Sequence, residues 1–206
     1  MNYRKYPVNK TKLFILSSVL MSFLFFGCTK KFPEDKNISG VNYTLLNQDS
    51  TKVNFPSDFK GHILVITFIY TNCPDICPMT THNMQEVQKK LADEGINDVQ
   101  FAAMSFDPNR DTPKVLKEYA EVRDMKLNNF VFLTGNKKDV ASILHEFDFI
   151  AIPGDTTFVD KTHPVYFFTH TDKLFLVDAK GRIRTSYRGS KVNSQKLISD
   201  IKSLEN

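Results

Sequence analysis

The chain has 206 residues, enough for one domain behind a leader, and a formal net charge of +4. Residues 1–27 hold Arg4, Lys5, Lys10 and Lys12 and no acid; without those four the 27 Lys plus Arg fall to 23, equal to Asp plus Glu. A neutral domain with no dense Lys/Arg cluster lacks the electrostatic footprint of a nucleic-acid binder, so no nucleic-acid partner is expected.

The first segment reads as a leader. Residues 1–12 are basic and polar, Leu13 to Phe26 are apolar apart from Ser17, Ser18 and Ser22, and Gly27-Cys28 follow. A basic start, a short apolar run and a small residue form a secretory signal. The run is shorter than the roughly 20 residues of a spanning helix. Cys28 directly after a small residue resembles a bacterial lipobox, which implies cleavage before Cys28 and its lipidation. An ordinary signal peptide or an uncleaved anchor would equally place the domain outside the cytoplasm. The expected organisation is a lipoprotein signal peptide at 1–27, a lipid-anchored tether at 28–38 and a single domain at 39–206.

Strand and helix patterns alternate through that domain. Val41–Leu46 reads as a strand, and Ile63–Tyr70 as an apolar, β-branched strand buried on both faces. A helix is expected from Pro78 to about Ala92 and a strand over Val99–Phe106. Thr112 as N-cap and Pro113 at the first position open another helix. Phe130–Leu133 reads as a strand, Lys137–Phe147 as a helix and 153–164 as a loop. Then come strands at Val165–Phe168 and Lys173–Asp178, a turn at Ala179-Lys180-Gly181, a strand at Arg182–Tyr187 and a closing helix at Ser194–Leu204. The order predicts an α/β domain with a mixed central sheet flanked by helices and a late β-hairpin. The thioredoxin-like fold fits it.

The chemistry centres on Thr71-Asn72-Cys73-Pro74-Asp75-Ile76-Cys77-Pro78, where the buried strand ends and a helix begins. A thiol at a helix N-terminus is acidified by unpaired N–H groups and the helix dipole. A near-helical turn points Cys73 and Cys77 to the same side, where they can hold one soft metal ion or form a disulfide. Thioredoxin-type redox motifs have two intervening residues rather than three, so the spacing tilts toward metal. A structural disulfide would close too small a loop to contribute much stability.

Two thiolates and an imidazole suit copper or zinc. Of the five histidines, His62 lies at the far end of the buried strand, His82 points away on the helix and His145 lies mid-helix. His163 and His170 border a late strand near the hairpin; the residues alone leave both open, with a slight preference for His170.

Three motifs in order resemble the SCO/SenC family of copper proteins. They are Cys73-Pro74-Asp75-Ile76-Cys77-Pro78, then Ser105-Phe106-Asp107-Pro108-Asn109-Arg110-Asp111-Thr112-Pro113, then His170 ahead of Leu174-Phe175-Leu176-Val177-Asp178 and Gly181. The resemblance spans about Asn37 to Leu204. It implies a thioredoxin-like fold, copper bound by Cys73, Cys77 and His170, and delivery of copper to, or thiol maintenance of, the dinuclear copper centre of cytochrome c oxidase. Many members carry Asp immediately before the histidine, where this chain has Thr169.

The leading expectation is a membrane-anchored metallochaperone rather than an enzyme. Cu(I) would be held in a three-coordinate site, and Cu(II) when water or a neighbouring group fills a fourth position. Its partners would be the copper-centre subunit of the oxidase and a thiol reductant or second copper carrier. Asp107, Asp160 and His163 are further candidates for the site, with turn and capping chemistry the first reading of Asp107 and Asp111. The rival is an extracytoplasmic thiol-disulfide oxidoreductase using Cys73 and Cys77 as a redox-active pair without His170, and a third reading is a copper sensor or store.

Overall fold

In a computed structural model of the chain, residues 32–34, 36–155, 157–158 and 164–205 are described. The leader, Cys28, Asp160 and His163 lie outside the described residues. Within them the strands in chain order begin with β1 (Lys36–Asn37), β2 (Tyr43–Asn47), β3 (Lys52–Phe55) and β4 (Ile63–Ile69). Helix α1 (Ile76–Asp93) leads to β5 (Val99–Ser105), and α2 (Pro113–Glu121) leads to β6 (Phe130–Thr134). Helix α3 (Lys137–Glu146) precedes four short strands, β7 (Ala151–Pro153), β8 (Thr157–Phe158), β9 (Pro164–Val165) and β10 (Phe168–His170). The hairpin β11 (Leu174–Val177) and β12 (Arg182–Tyr187) and the helix α4 (Ser194–Lys202) close the chain.

Eight strands form one mixed sheet in the order β1-β12-β11-β4-β5-β6-β2-β3. Only the β4–β5 and β5–β6 pairs are parallel, as they must be when α1 and α2 are the crossovers between them. All seven residues of β4 are buried, because it lies between β11 and β5 with both faces covered. The mixed sheet with flanking helices and a late hairpin is the thioredoxin-like fold the sequence implies.

The helices are placed by their apolar stripes. On α1 the buried positions are Cys77, Thr80, Thr81, Met84, Val87, Gln88 and Leu91, a three-and-four spacing that lines one side of a helix. Phe55, Phe68, Phe147, Phe149 and Phe175 pack ring against ring, with centroid separations of 4.9–6.2 Å among the neighbouring pairs. This is where much of the chain's phenylalanine goes. The Thr112 side chain accepts from Val115 N–H with Pro113 at the first turn, and Asn136 and Asn193 cap α3 and α4 in the same way.

Several elements differ from the sequence-based expectation. Lys36–Asn37, expected in the tether, pair with β12, and Ile38 is 1% exposed, so the sheet reaches back into that segment. β3 has no counterpart in the sequence reading; it is a four-residue edge strand with only Phe55 fully buried, too short for alternation to be read. The strand expected at Val165–Phe168 is divided. Val165 pairs with β8, while Phe168 begins β10, which pairs with β7. The helix carrying Cys77 begins at Ile76 rather than Pro78, since Pro78 still falls within the first turn, where its missing N–H costs no hydrogen bond.

Candidate metal centre

The site forms at the carboxyl ends of β4 and β5, where open α/β sheets gather ligands. Ile69 is level with Ser105 in the parallel register, and Phe106 N–H donates to Ile69 O at 2.9 Å. After β4 the chain turns sharply, with Cys73 N–H donating to Tyr70 O at 3.2 Å. Asp111 holds this turn. Its buried carboxylate accepts from Thr71 N–H (3.1 Å), from Thr71 Oγ1 (2.6 Å) and from Ser105 Oγ (2.6 Å). The acid read from sequence as capping chemistry therefore ties the start of the cysteine loop to the end of β5.

Cys77 sits in the first turn of α1, and its N–H donates to Cys73 Sγ at 3.4 Å. Both cysteines are free thiols and buried, Cys73 7% and Cys77 1% exposed. A hydrogen bond from the Cys77 thiol lowers the Cys73 pKa to about 3 against the opposing effect of burial, with His170 and the backbone N–H of Cys77 assisting. The same thiol–thiolate contact, together with burial, pushes the Cys77 thiol far above its ordinary value. The pair thus shares one proton, held by the deeper sulfur.

His170 closes the triangle from the last residue of β10. Its Nε2 lies 4.0 Å from Cys73 Sγ and 3.9 Å from Cys77 Sγ, and the three donor atoms all lie within 4.8 Å of one another. The far side of the ring is fixed. Nδ1 meets the Thr171 carbonyl at 2.9 Å, and a carbonyl only accepts, so Nδ1 carries a hydrogen. Nε2 faces the sulfurs, donating to the Cys73 thiolate when the ring is protonated and presenting its lone pair when it is neutral. Tyr70, Phe106 and Phe149 surround the ring at centroid distances of 5.9, 5.2 and 6.3 Å. Burial works against protonating His170, but the Cys73 thiolate and the Thr171 carbonyl outweigh it and raise its pKa.

Thr169, the residue immediately before the histidine, is exposed; the Thr171 carbonyl is what holds the ring. Asp172, two residues after the histidine, is turned elsewhere. It accepts from Ser190 N–H (2.9 Å) and Ser190 Oγ (2.6 Å) and pairs with Arg188. Those bonds hold the turn at Gly189–Lys191, whose Gly189 carbonyl accepts from Asn83 Nδ2 of α1 at 3.0 Å. Asp107 is buried but belongs to a neighbouring cluster. It pairs with Arg110 and accepts from Tyr166 OH at 2.9 Å, and Arg110 stacks 3.6 Å over the Tyr166 ring. Among the described residues only Cys73, Cys77 and His170 form a set with metal-ligating spacing. His82 and His145 are exposed on their helices, and His62 pairs with Asp98.

A model of the SCO1/SenC family matches residues 32–206. The chain belongs to the SCO1/SenC family. Its fold is that of solved relatives. It resembles a SCO1/SenC family lipoprotein from Bacillus anthracis with a TM-score of 0.71 and 27% identity, over 85% of this chain and 99% of that one. It resembles Bradyrhizobium japonicum ScoI with copper bound at 0.68 and 26%, over 80% and 98%. It also resembles BsSco, described as having a disulfide switch and as a member of the Sco family of cytochrome c oxidase assembly proteins, at 0.67 and 30%, over 86% and 99%. The family reading from the three sequence motifs and the fold reading therefore both hold. What the motifs do not reveal is the support around this SCO1/SenC site, namely the Thr171 carbonyl, the Asp111 tie and the aromatic wall.

Proposed function

We propose that this SCO1/SenC protein is a membrane-anchored copper metallochaperone that binds one copper ion through Cys73, Cys77 and His170 and serves the dinuclear copper centre of cytochrome c oxidase. The observation that carries the reading is the convergence of the three donors within 4.8 Å. A trigonal site with metal–sulfur about 2.3 Å and metal–nitrogen about 2.05 Å has a sulfur-to-nitrogen edge of about 3.8 Å. The 4.0 and 3.9 Å edges here need only a small contraction. Two soft sulfurs and one imidazole suit Cu(I), and an aromatic wall on one side limits water. Copper bound by the ScoI relative supports the choice of metal.

Cleavage before Cys28 and its lipidation would hold the domain on the outer face of a bacterial membrane; the lipoprotein relative is consistent with that. An anaerobic Cu(I) titration of the reduced protein tests the metal reading. One copper per chain is expected. Cys73→Ser, Cys77→Ser and His170→Ala should each weaken binding by at least about tenfold, the scale of losing a ligand or its support. Full affinity in His170→Ala would defeat the three-donor site.

A second reading has its own observation, the split of the two thiols into an acidified Cys73 and a proton-bearing Cys77. That is the arrangement of an attacking and a resolving sulfur. Cys73 thiolate would attack a partner disulfide, releasing one partner thiolate and forming a mixed disulfide. Cys77, losing its proton, would then displace the second partner thiolate and leave Cys73–Cys77 oxidised. Retained disulfide reductase activity in His170→Ala, with copper binding absent from the wild type, would favour this reading.

A further inference from the structure

The ribbon that presents His170 has a second, outward face. Pairing of β7 with β10 extends one residue each way, through Gly154 N–H to Phe167 O (2.7 Å) and Thr171 N–H to Ile150 O (2.9 Å). Side chains alternate across a strand. Phe168 and His170 therefore share the inner face, where Phe168 packs on Tyr70 and Phe106 at 5.1 and 5.0 Å. Ile150, Ile152 and Phe167 share the outer face and are 59%, 58% and 56% exposed. A contiguous open apolar patch marks an interaction surface more often than scattered exposed residues do.

Where the chain leaves the sheet points to what covers this face. β1 runs antiparallel to β12 with Lys36 opposite Ile183, and Glu34 N–H donates to Arg184 O at 3.1 Å. Followed toward its N-terminus, the segment runs toward Tyr187, which is level with Leu174 and, through it, with Thr67 of β4. That is the end of the sheet from which Cys73 departs. The chain thus leaves the domain at its site-bearing end, the end at which the ribbon presents His170. Four residue steps separate Phe32 from Cys28, a reach of about 14 Å. A domain of this length is about 40 Å across. A leash so short cannot let the opposite end of the domain turn to the bilayer.

We propose that Ile150, Ile152 and Phe167 seat in the interfacial layer of the membrane that holds the lipid anchor, so that the site-bearing end of the domain faces the bilayer. This rests on the anchored reading of Cys28. Three apolar side chains are too few to hold a domain on a membrane alone, but they suffice to orient one already tethered. The metal centre would then work close to the lipid surface.

The chain contains no Trp, so one introduced indole reports alone. The full chain, processed in bacterial membranes, is reconstituted into phosphatidylethanolamine–phosphatidylglycerol vesicles with brominated acyl chains. Ile152→Trp is compared with Val122→Trp, whose site is 80% exposed and follows the last residue of α2, away from the metal centre. Loss of most indole emission from the Ile152→Trp chain, with emission from the Val122→Trp chain unchanged, is expected. Quenching of neither, or of both alike, overturns the proposal. Protection of the Ile152→Trp indole only when a soluble copper-receiving domain is added would assign the face to a protein partner and overturn it too. Finding Cys28 unlipidated by mass spectrometry would remove the leash and the inference with it. Cu(I) binding on the same vesicles is read separately. Copper retained without quenching defeats the orientation alone, and quenching retained without copper defeats the metal reading alone.

Discussion

At the scale of single residues, the centre is two sulfurs in different states beside an oriented imidazole. The Cys73 thiol, lowered to about 3, remains thiolate where an ordinary thiol, with a pKa of about 8.5, is protonated. A depressed folded value stabilises the fold fully above the unfolded pKa and loses that contribution as pH falls toward the folded one. The stability difference between wild type and Cys73→Ser, both reduced, should therefore shrink as pH drops from about 8 toward about 4, read as urea midpoints. A difference that is constant with pH would show that the thiolate is not held in this way. Alkylation of Cys73 by iodoacetamide should persist at about pH 5, where a free cysteine has become unreactive. Asp111 makes a second prediction at this scale. Asp111→Ala strands the Thr71 and Ser105 donors, at about 1–3 kcal/mol for each one left buried and unpaired. It should also weaken Cu(I) binding, because the turn before Cys73 loses its tie. Competition titration reads the second effect, and unchanged affinity would reduce Asp111 to a fold residue.

At the scale of elements, the parts legible in the sequence are those with strong periodicity or motifs. The ILVITFI run of β4, the Thr112-Pro113 helix start and the two cysteines at a strand-to-helix corner are all readable because local chemistry dictates them. The ribbon is not readable. β7 and β10 are three residues each and pair across residues 154–167, a stretch that encloses another two-stranded pair, so nothing local signals their register. For the same reason the residues alone favour His170 over His163 only slightly, whereas the pairing of β10 with β7 sets the position of its ring. The support of α1 is similarly long-range. A Cβ at Gly189 would lie 2.7 Å from Thr80 Cγ2, so the turn held by Asp172 presses on the helix three residues beyond Cys77. Gly189→Ala should destabilise the fold by about 1–3 kcal/mol, as overpacking does, and Thr80→Ala in the same chain should restore much of it. Thermal unfolding reads both, and absence of rescue would place the strain elsewhere.

For the molecule as a whole, the domain begins earlier than composition suggests. Phe32 to Ile38 reads as a polar tether because its few apolar residues are spaced among Lys, Glu, Asp and Asn, yet Lys36–Asn37 pair with β12 and Ile38 is buried. A chain starting at Ser39 should unfold at lower temperature than one starting at Phe32, since it loses an edge strand and a buried isoleucine worth about 2–5 kcal/mol when truncated. Equal melting temperatures would show that the segment is only laid on the surface.

Cys73 and Cys77 stand 97 and 93 residues before His170 along the chain, with β5, β6 and the folding of the β7–β10 ribbon between them. A chain that has yet to fold can offer a pair of thiols, but the nitrogen joins them only once β10 has docked on β7. On the proposed copper reading, cargo would be accepted by the finished molecule alone. Spilling of the ion and collapse of the structure should then be one event, with coincident midpoints in denaturant.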